Sequence, residues 1–373
     1  MAVERWFNAA GHLAAPVDPP LRPDTREPFG LDDFARVLPA AAGAQELGAD
    51  PWLCVPGEVL QVLRRWRPTP LVRAAAMEAA LGTPARIYRK DESAAPTGSH
   101  HLTTAVAQAF YAKVDGGSRL VTGSESGRWG SAVAMAAGLF SLDATVYTGE
   151  SVSKEERSTI EGWGATVVGS RVTPVEDALG DVAARPDSRF ATGSVFNHVV
   201  VHQSLIGLEA QEQLVQAGED RPDVVVGYCG GGTCLGGAAM AFVGDENVRL
   251  VAVESSSWPV LTAGRFGYVP SDSAGRLPLL AMYSLAPDTV PPAALAPDIR
   301  SQAIAPVICY LIRSGRMEAV AHPLEGVRDA GVQWARAEGV APSLSAAHSV
   351  RAVIDEALLA REEGVERVIL FPW

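Results

Sequence analysis

From Arg119 onward, short β-branched runs alternate with longer stretches of helical periodicity, and this alternation limits the possible folds more than any other feature. Strands are expected at 119–122, 144–147 and 165–168, with helices at 129–140 and 154–163 between them. A second series reads as strand 223–226, helix 235–242 and strand 249–253. It closes with helices 327–337 and 346–361 and a final strand, 367–370. Strands separated by helices return to the sheet in parallel, because a hairpin turn is too short to hold a helix. The expected fold is therefore α/β: two lobes of parallel sheet covered by helices, with a cleft between them.

Upstream, residues 1–58 carry eight prolines and little periodicity, which predicts an arm laid over the body of the protein. Helical spacing follows at 59–66 and 72–81, and a short strand at 85–89. A length of 373 residues suggests about two domains. Residues 59–98 together with 200–373 are expected to form the larger α/β domain and residues 99–199 the smaller. A proline-rich insertion at 258–297 reads as irregular. The net charge of −12 argues against nucleic acid or an anionic membrane as a partner, since both require a basic face. No apolar leader or spanning run is evident, so a cytoplasmic location is expected. Cys54, Cys229, Cys234 and Cys309 lack zinc spacing and the density of a disulfide scaffold, so reduced thiols and no metal site are expected.

Two stretches carry candidate chemistry. In Pro96-Thr97-Gly98-Ser99-His100-His101, a Gly-Ser turn opens a helical run, and the free N–H groups of a helix start suit an anion or a reactive group. Two adjacent histidines there can act as acid, base or ligand, or simply cap the helix. The run Gly230-Gly231-Gly232-Thr233 lies between a buried strand and a helix, where bare backbone can surround a phosphate. The same run serves equally well as a tight turn. Lysine is scarce, limited to Lys90, Lys113 and Lys154.

Taken together, Arg67-Pro68-Thr69-Pro70-Leu71, Pro96-x-Gly98-Ser99-His100-x-x-x-Thr104-Ala105, Arg128-Trp129-Gly130-Ser131-Ala132, His202-Gln203-Ser204-x-Ile206-Gly207-x-Glu209 and the glycine run resemble the β chain of tryptophan synthase. The likeness is to its second, stand-alone-type subclass, and it spans almost the whole chain. It implies the two-lobed fold type II architecture of pyridoxal-phosphate enzymes, a site in the cleft and a homodimer. In that family the residue after the Ser-His pair is the lysine that forms a Schiff base with the cofactor; here it is His101. The resemblance makes His100 the histidine beside the cofactor and Gly230, Gly231, Gly232 and Thr233 the phosphate loop, with Cys234 where an asparagine is usual. It places the family's catalytic glutamate at Gly123, the substrate-carboxylate loop at Ser124, Ser126, Gly127 and Arg128, and a second site glutamate at Ser345. His348 is kept. A family loop that meets the pyridine nitrogen beyond the last strand is expected to be missing after Phe371-Pro372-Trp373.

These departures suggest a repurposed cleft. The expectation is an enzyme without cofactor in which His101, Glu125 and His348 perform acid–base chemistry on a small, indole-like metabolite. Addition, elimination or cyclisation in specialised natural-product biosynthesis would fit, with Ser99, His100, Ser124, Ser126, Gly127 and Arg128 lining the substrate. Two alternatives stand beside it. One is an enzyme that holds pyridoxal phosphate noncovalently for amino-acid β-replacement or elimination; the other is a non-catalytic homologue that binds a metabolite or regulates a partner.

Overall fold

The computed structural model describes residues 3–286, 289–292, 295 and 299–373. Its smaller sheet has four strands, all parallel, in the spatial order Thr166–Gly169, Asp143–Thr148, Arg119–Ser124, Ser188–Phe190. The larger has six, in the order Glu318–His322, Arg249–Ser255, Val224–Tyr228, Val368–Pro372, Arg86–Lys90, Leu71–Arg73. All neighbours in it are parallel except the last pair. Val224, Val225 and Val226 are fully buried, as a central strand covered on both faces requires.

Helices His101–Val114 and Arg128–Leu139 pack together beside the smaller sheet. Ala105, Ala109 and Ala112 on one and Ala132, Ala136 and Ala137 on the other are fully buried, and such small side chains let the two backbones approach closely. Helix Arg128–Leu139 also lies tight on its sheet. A Cβ on Gly130 would come within 2.7 Å of Val146, so no larger residue fits there.

Three expectations change. The stretch 72–81 divides into strand Leu71–Arg73 and helix Ala75–Leu81, because pairing with Arg86–Lys90 claims its first residues for the sheet edge. Within 258–297, strands Arg265–Pro270 and Leu279–Ser284 form an antiparallel hairpin; part of that stretch, including Pro297, lies outside the described residues. Helices Pro174–Ala184, Asn197–Gln203, Leu205–Gln216 and Pro306–Arg313 and strand Glu318–His322 also join the fold without having been read from periodicity. The N-terminal stretch carries the strand pair Arg5–Phe7 and Trp52–Cys54 and the helices Leu31–Ala35 and Ala40–Leu47. Trp6, Phe34 and Leu38 anchor it in the core. Among the described residues no helix is long and apolar enough to cross a membrane.

Candidate active site

Helix His101–Val114 begins without a side-chain cap, and His100 and His101 occupy its start. Their rings pack with centroids 4.1 Å apart. Ser99 is buried, and its hydroxyl takes both the His101 backbone N–H (3.4 Å) and a contact with His101 Nδ1 (3.0 Å). The indole of Trp129 stands 5.8 Å from the His101 ring and donates its N–H to Thr122 Oγ1. The His100 carbonyl accepts from Gln203 Nε2 at 3.0 Å.

Both imidazoles keep some contact with solvent but sit deep in the protein, and burial favours their neutral forms. The His101 pKa falls well below the ordinary value, first through burial, then through His100 and Arg128. That of His100 drops to about 3, from burial and then from Arg128 and Arg67. The helix dipole points the same way, but burial is the largest cause. His101 is therefore neutral at pH 7 and able to accept a proton.

Three residues further along the same helix, Thr104 Oγ1 meets His202 Nδ1 at 2.9 Å, and His202 Nε2 meets Gln45 Oε1 at 2.7 Å. An amide oxygen only accepts, so His202 carries its proton on Nε2, and the Thr104 hydroxyl donates to Nδ1. Thr104 in turn accepts from Gln108 Nε2 at 2.9 Å. Behind His100 a second buried cluster joins Arg67 to Glu92 and Glu209, two contacts to each, and Lys90 Nζ to Glu209 Oε2 at 2.7 Å. Two cations face two carboxylates, so the group is formally neutral. Lys90 is fully buried there, also donating to the Thr69 carbonyl and Gln213. Lys113 and Lys154 are exposed.

The other site positions divide. Arg128 is exposed at the first turn of its helix, after Gly127 in the left-handed region at φ 79°, and its charge reaches both His100 and His101. Buried Ser124 accepts from the Gly130 N–H at 3.1 Å, which makes it a support for that helix. Ser126 is half-buried in the same loop. Glu125 is exposed overall, but its carboxylate lies against Gly149, and burial raises its pKa against the field of Arg300. Its carboxylate faces Gly149, and its backbone carbonyl accepts from Ser151 Oγ at 3.0 Å. His348 is buried, donating from Nδ1 to the Leu344 carbonyl of its own helix and packing 5.1 Å from the Tyr228 ring. A side chain at Gly123 would meet the Pro174 carbonyl within 2.5 Å, because helix Pro174–Ala184 starts against it.

At the glycine run, Gly232 has φ 88° and precedes helix Thr233–Ala239. A Cβ on Gly232 would approach Ile308 at 3.1 Å, and the Gly231 carbonyl accepts from the Ala305 N–H. Thr233 is buried, as is much of Cys234, whose thiol burial keeps protonated. Two features of this region were not read from the sequence: the Thr104–His202–Gln45 connection and the Arg67 cluster. Glu209, a charge within the apolar run 205–210, was the available signal for the cluster.

The pyridoxal-phosphate dependent enzyme family matches residues 62–371. The chain belongs to that family. Tryptophan synthase beta chain 2 of Methanosarcina acetivorans is 40% identical over 99% of this chain and 90% of its own length, and that of Aquifex aeolicus 38% identical over 99% and 92%. Among solved structures, a T.th. threonine deaminase superposes with a TM-score of 0.66 at 21% identity, covering 84% of this chain and 96% of that one. A fungal L-serine ammonia-lyase from Rhizomucor miehei gives 0.63 at 18%, covering 81% and 91%. These likenesses confirm the fold type II α/β architecture.

Membership of a pyridoxal-phosphate dependent family corrects three expectations: an acid–base enzyme without cofactor, a role in specialised natural-product biosynthesis and a non-catalytic homologue. Cofactor binding in such a fold depends largely on backbone, and the glycine run and both lobes are retained.

Proposed function

We propose that this protein is a pyridoxal-phosphate enzyme that holds its cofactor without a lysine link and catalyses β-replacement or elimination on an amino acid. The observation that carries the noncovalent reading is the disposition of the lysines: Lys90 is locked against Glu209, and Lys113 and Lys154 lie at the surface. His101 follows the Ser-His pair in their place, and an imidazole offers no primary amine.

The cleft fits the group. Gly231 and Gly232 form a cradle in which a Cβ would collide with neighbours, leaving bare backbone toward a phosphate. His100 and Trp129 supply walls beside His101. When bound, pyridoxal phosphate supplies an electron sink for negative charge at the amino acid α-carbon. His101 is the base: in the tautomer with its proton on Nδ1, directed at Ser99 Oγ, the Nε2 lone pair is left to take the α-proton. Arg128 with the Ser126–Gly127 backbone holds the substrate carboxylate. Glu125, its pKa raised, returns a proton toward the leaving group from the rim of the cleft. His348 belongs to the wall near Tyr228. In this reading residues 99–199 form the smaller domain, residues 59–98 with 200–373 the larger, and the active form is a homodimer.

The test is titration of the purified protein with pyridoxal phosphate, followed by borohydride reduction and peptide mass mapping. Saturable binding with no pyridoxyl adduct on any lysine is expected. A stoichiometric adduct on one lysine overturns the noncovalent reading.

A further inference from the structure

We infer that Ser194 is a ligand-binding residue whose hydroxyl donates to the phosphate group held at Gly231–Gly232. This rests on the reading above and adds a binding residue to it. The starting point is contact: a Cβ placed on Gly231 would fall 1.8 Å from Ser194 Oγ, so this hydroxyl lies directly against the loop. Among the described residues Ser194 Oγ has no hydrogen-bond partner, whereas its backbone carbonyl accepts from Phe196 N–H and Thr192 Oγ1. A half-buried hydroxyl with no protein partner among the described residues thus borders glycine backbone that can approach an oxyanion.

The chain is bent to place it there. Val195 has φ 56°, a left-handed conformation that a β-branched residue adopts only when its surroundings impose it. Those surroundings are clear. The Gln108 amide binds Thr192 through both its backbone N–H and its carbonyl, and Trp129 covers Gly193 so closely that a Cβ there would lie 2.6 Å from the indole. Phe196 is buried on the far side. Residues 192–196 are therefore held from both ends, and the strained residue between them turns Ser194 onto Gly231. Hydroxyl donation discriminates between ligands by charge, since a hydrogen bond to an ionised oxygen is about twice as strong as one between neutral groups. The ligand class is a phosphate monoester such as pyridoxal phosphate, in preference to its dephosphorylated analogue.

The test compares the full-length protein with S194A, using quenching of tryptophan fluorescence by pyridoxal phosphate and by pyridoxal, and calorimetry with inorganic phosphate. The expected result is a loss of pyridoxal phosphate affinity of roughly ten-fold or more, the scale of one charged hydrogen bond, with pyridoxal affinity changed less than about two-fold. An equal loss for both ligands makes Ser194 structural and overturns the inference. So does an unchanged affinity for pyridoxal phosphate, which leaves the cofactor reading standing. If the unaltered protein binds phosphate but not pyridoxal phosphate, the cofactor reading fails alone, and S194A must then weaken phosphate binding. Binding of neither overturns both.

Discussion

The side-chain amide of Gln108 pairs with Thr192 in both directions, donating to its carbonyl at 2.7 Å and accepting from its N–H at 3.0 Å. Gln108 lies on the helix that begins at His101, and Thr192 opens the segment that reaches the glycine run at Ser194. One buried amide therefore joins the helix that starts at His101 to the segment lying against Gly231. Q108A leaves the Thr192 backbone unpaired and removes a donor from Thr104. A loss of about 2–4 kcal/mol in unfolding free energy is expected by denaturant titration, since each unsatisfied buried group costs roughly 1–3 kcal/mol. A loss below about 1 kcal/mol would mean that the segment finds other partners.

The Arg67 cluster is balanced, so removing one member leaves a buried charge without its partner. E209Q takes a carboxylate from both Arg67 and Lys90. Breaking a buried pair from one side typically costs about 3–5 kcal/mol. Chemical denaturation should show a fall of that size for E209Q. A smaller effect, below about 1 kcal/mol, is expected at an exposed pair such as Arg64–Glu4, tested as R64A.

The buried histidines tie stability to pH. His100, His101 and His202 all have folded pKa values below the ordinary one, with burial the largest cause. The unfolded chain takes up protons near pH 6.5 while the folded chain does not. Their contribution is thus complete above about pH 6.5 and is lost as pH falls below it. Each group contributes a slope of at most about 1.4 kcal/mol per pH unit. His202 is the test position because it is fully buried. Unfolding free energy measured from pH 7 to pH 5 should fall less steeply in H202Q than in the unaltered protein, and equal slopes would refute the assignment.

Returning an amine to the site offers a gain-of-function check. H101K places a primary amine at the start of helix His101–Val114, beside Ser99. Borohydride treatment with pyridoxal phosphate should then yield a pyridoxyl adduct at position 101 that the unaltered protein lacks. In contrast, H101A should lower turnover on a replacement or elimination substrate by about 100-fold or more, the lower end for a lost acid–base group, with thermal stability little changed.

Position 123 carries the opposite expectation. Helix Pro174–Ala184 fills the space that a side chain there would need, so G123A forces backbone apart and should cost at least about 1–3 kcal/mol. A glutamate, the residue that the resemblance implies at this position, fits no better. G123E is expected to unfold at lower temperature than G123A and to bring no activity.

Much of this protein was legible in its residues. The alternation from Arg119 onward specified parallel strands and covering helices because period-two and period-3.6 patterns cannot exchange roles, and the sheets follow it. The Ser-His-His turn and the glycine run marked two helix starts, since both features are local. Tertiary structure decided the rest. Leu71–Arg73 became a strand only through pairing with Arg86–Lys90. The depressed pKa of His101 comes first from burial, which no window of sequence displays. Ser194 meets Gly231, and Gln45 meets His202, across 37 and 157 positions of chain. Residues so far apart are brought together by packing of separate helices and strands, and the chemistry of each becomes visible only when its neighbour across the fold is known.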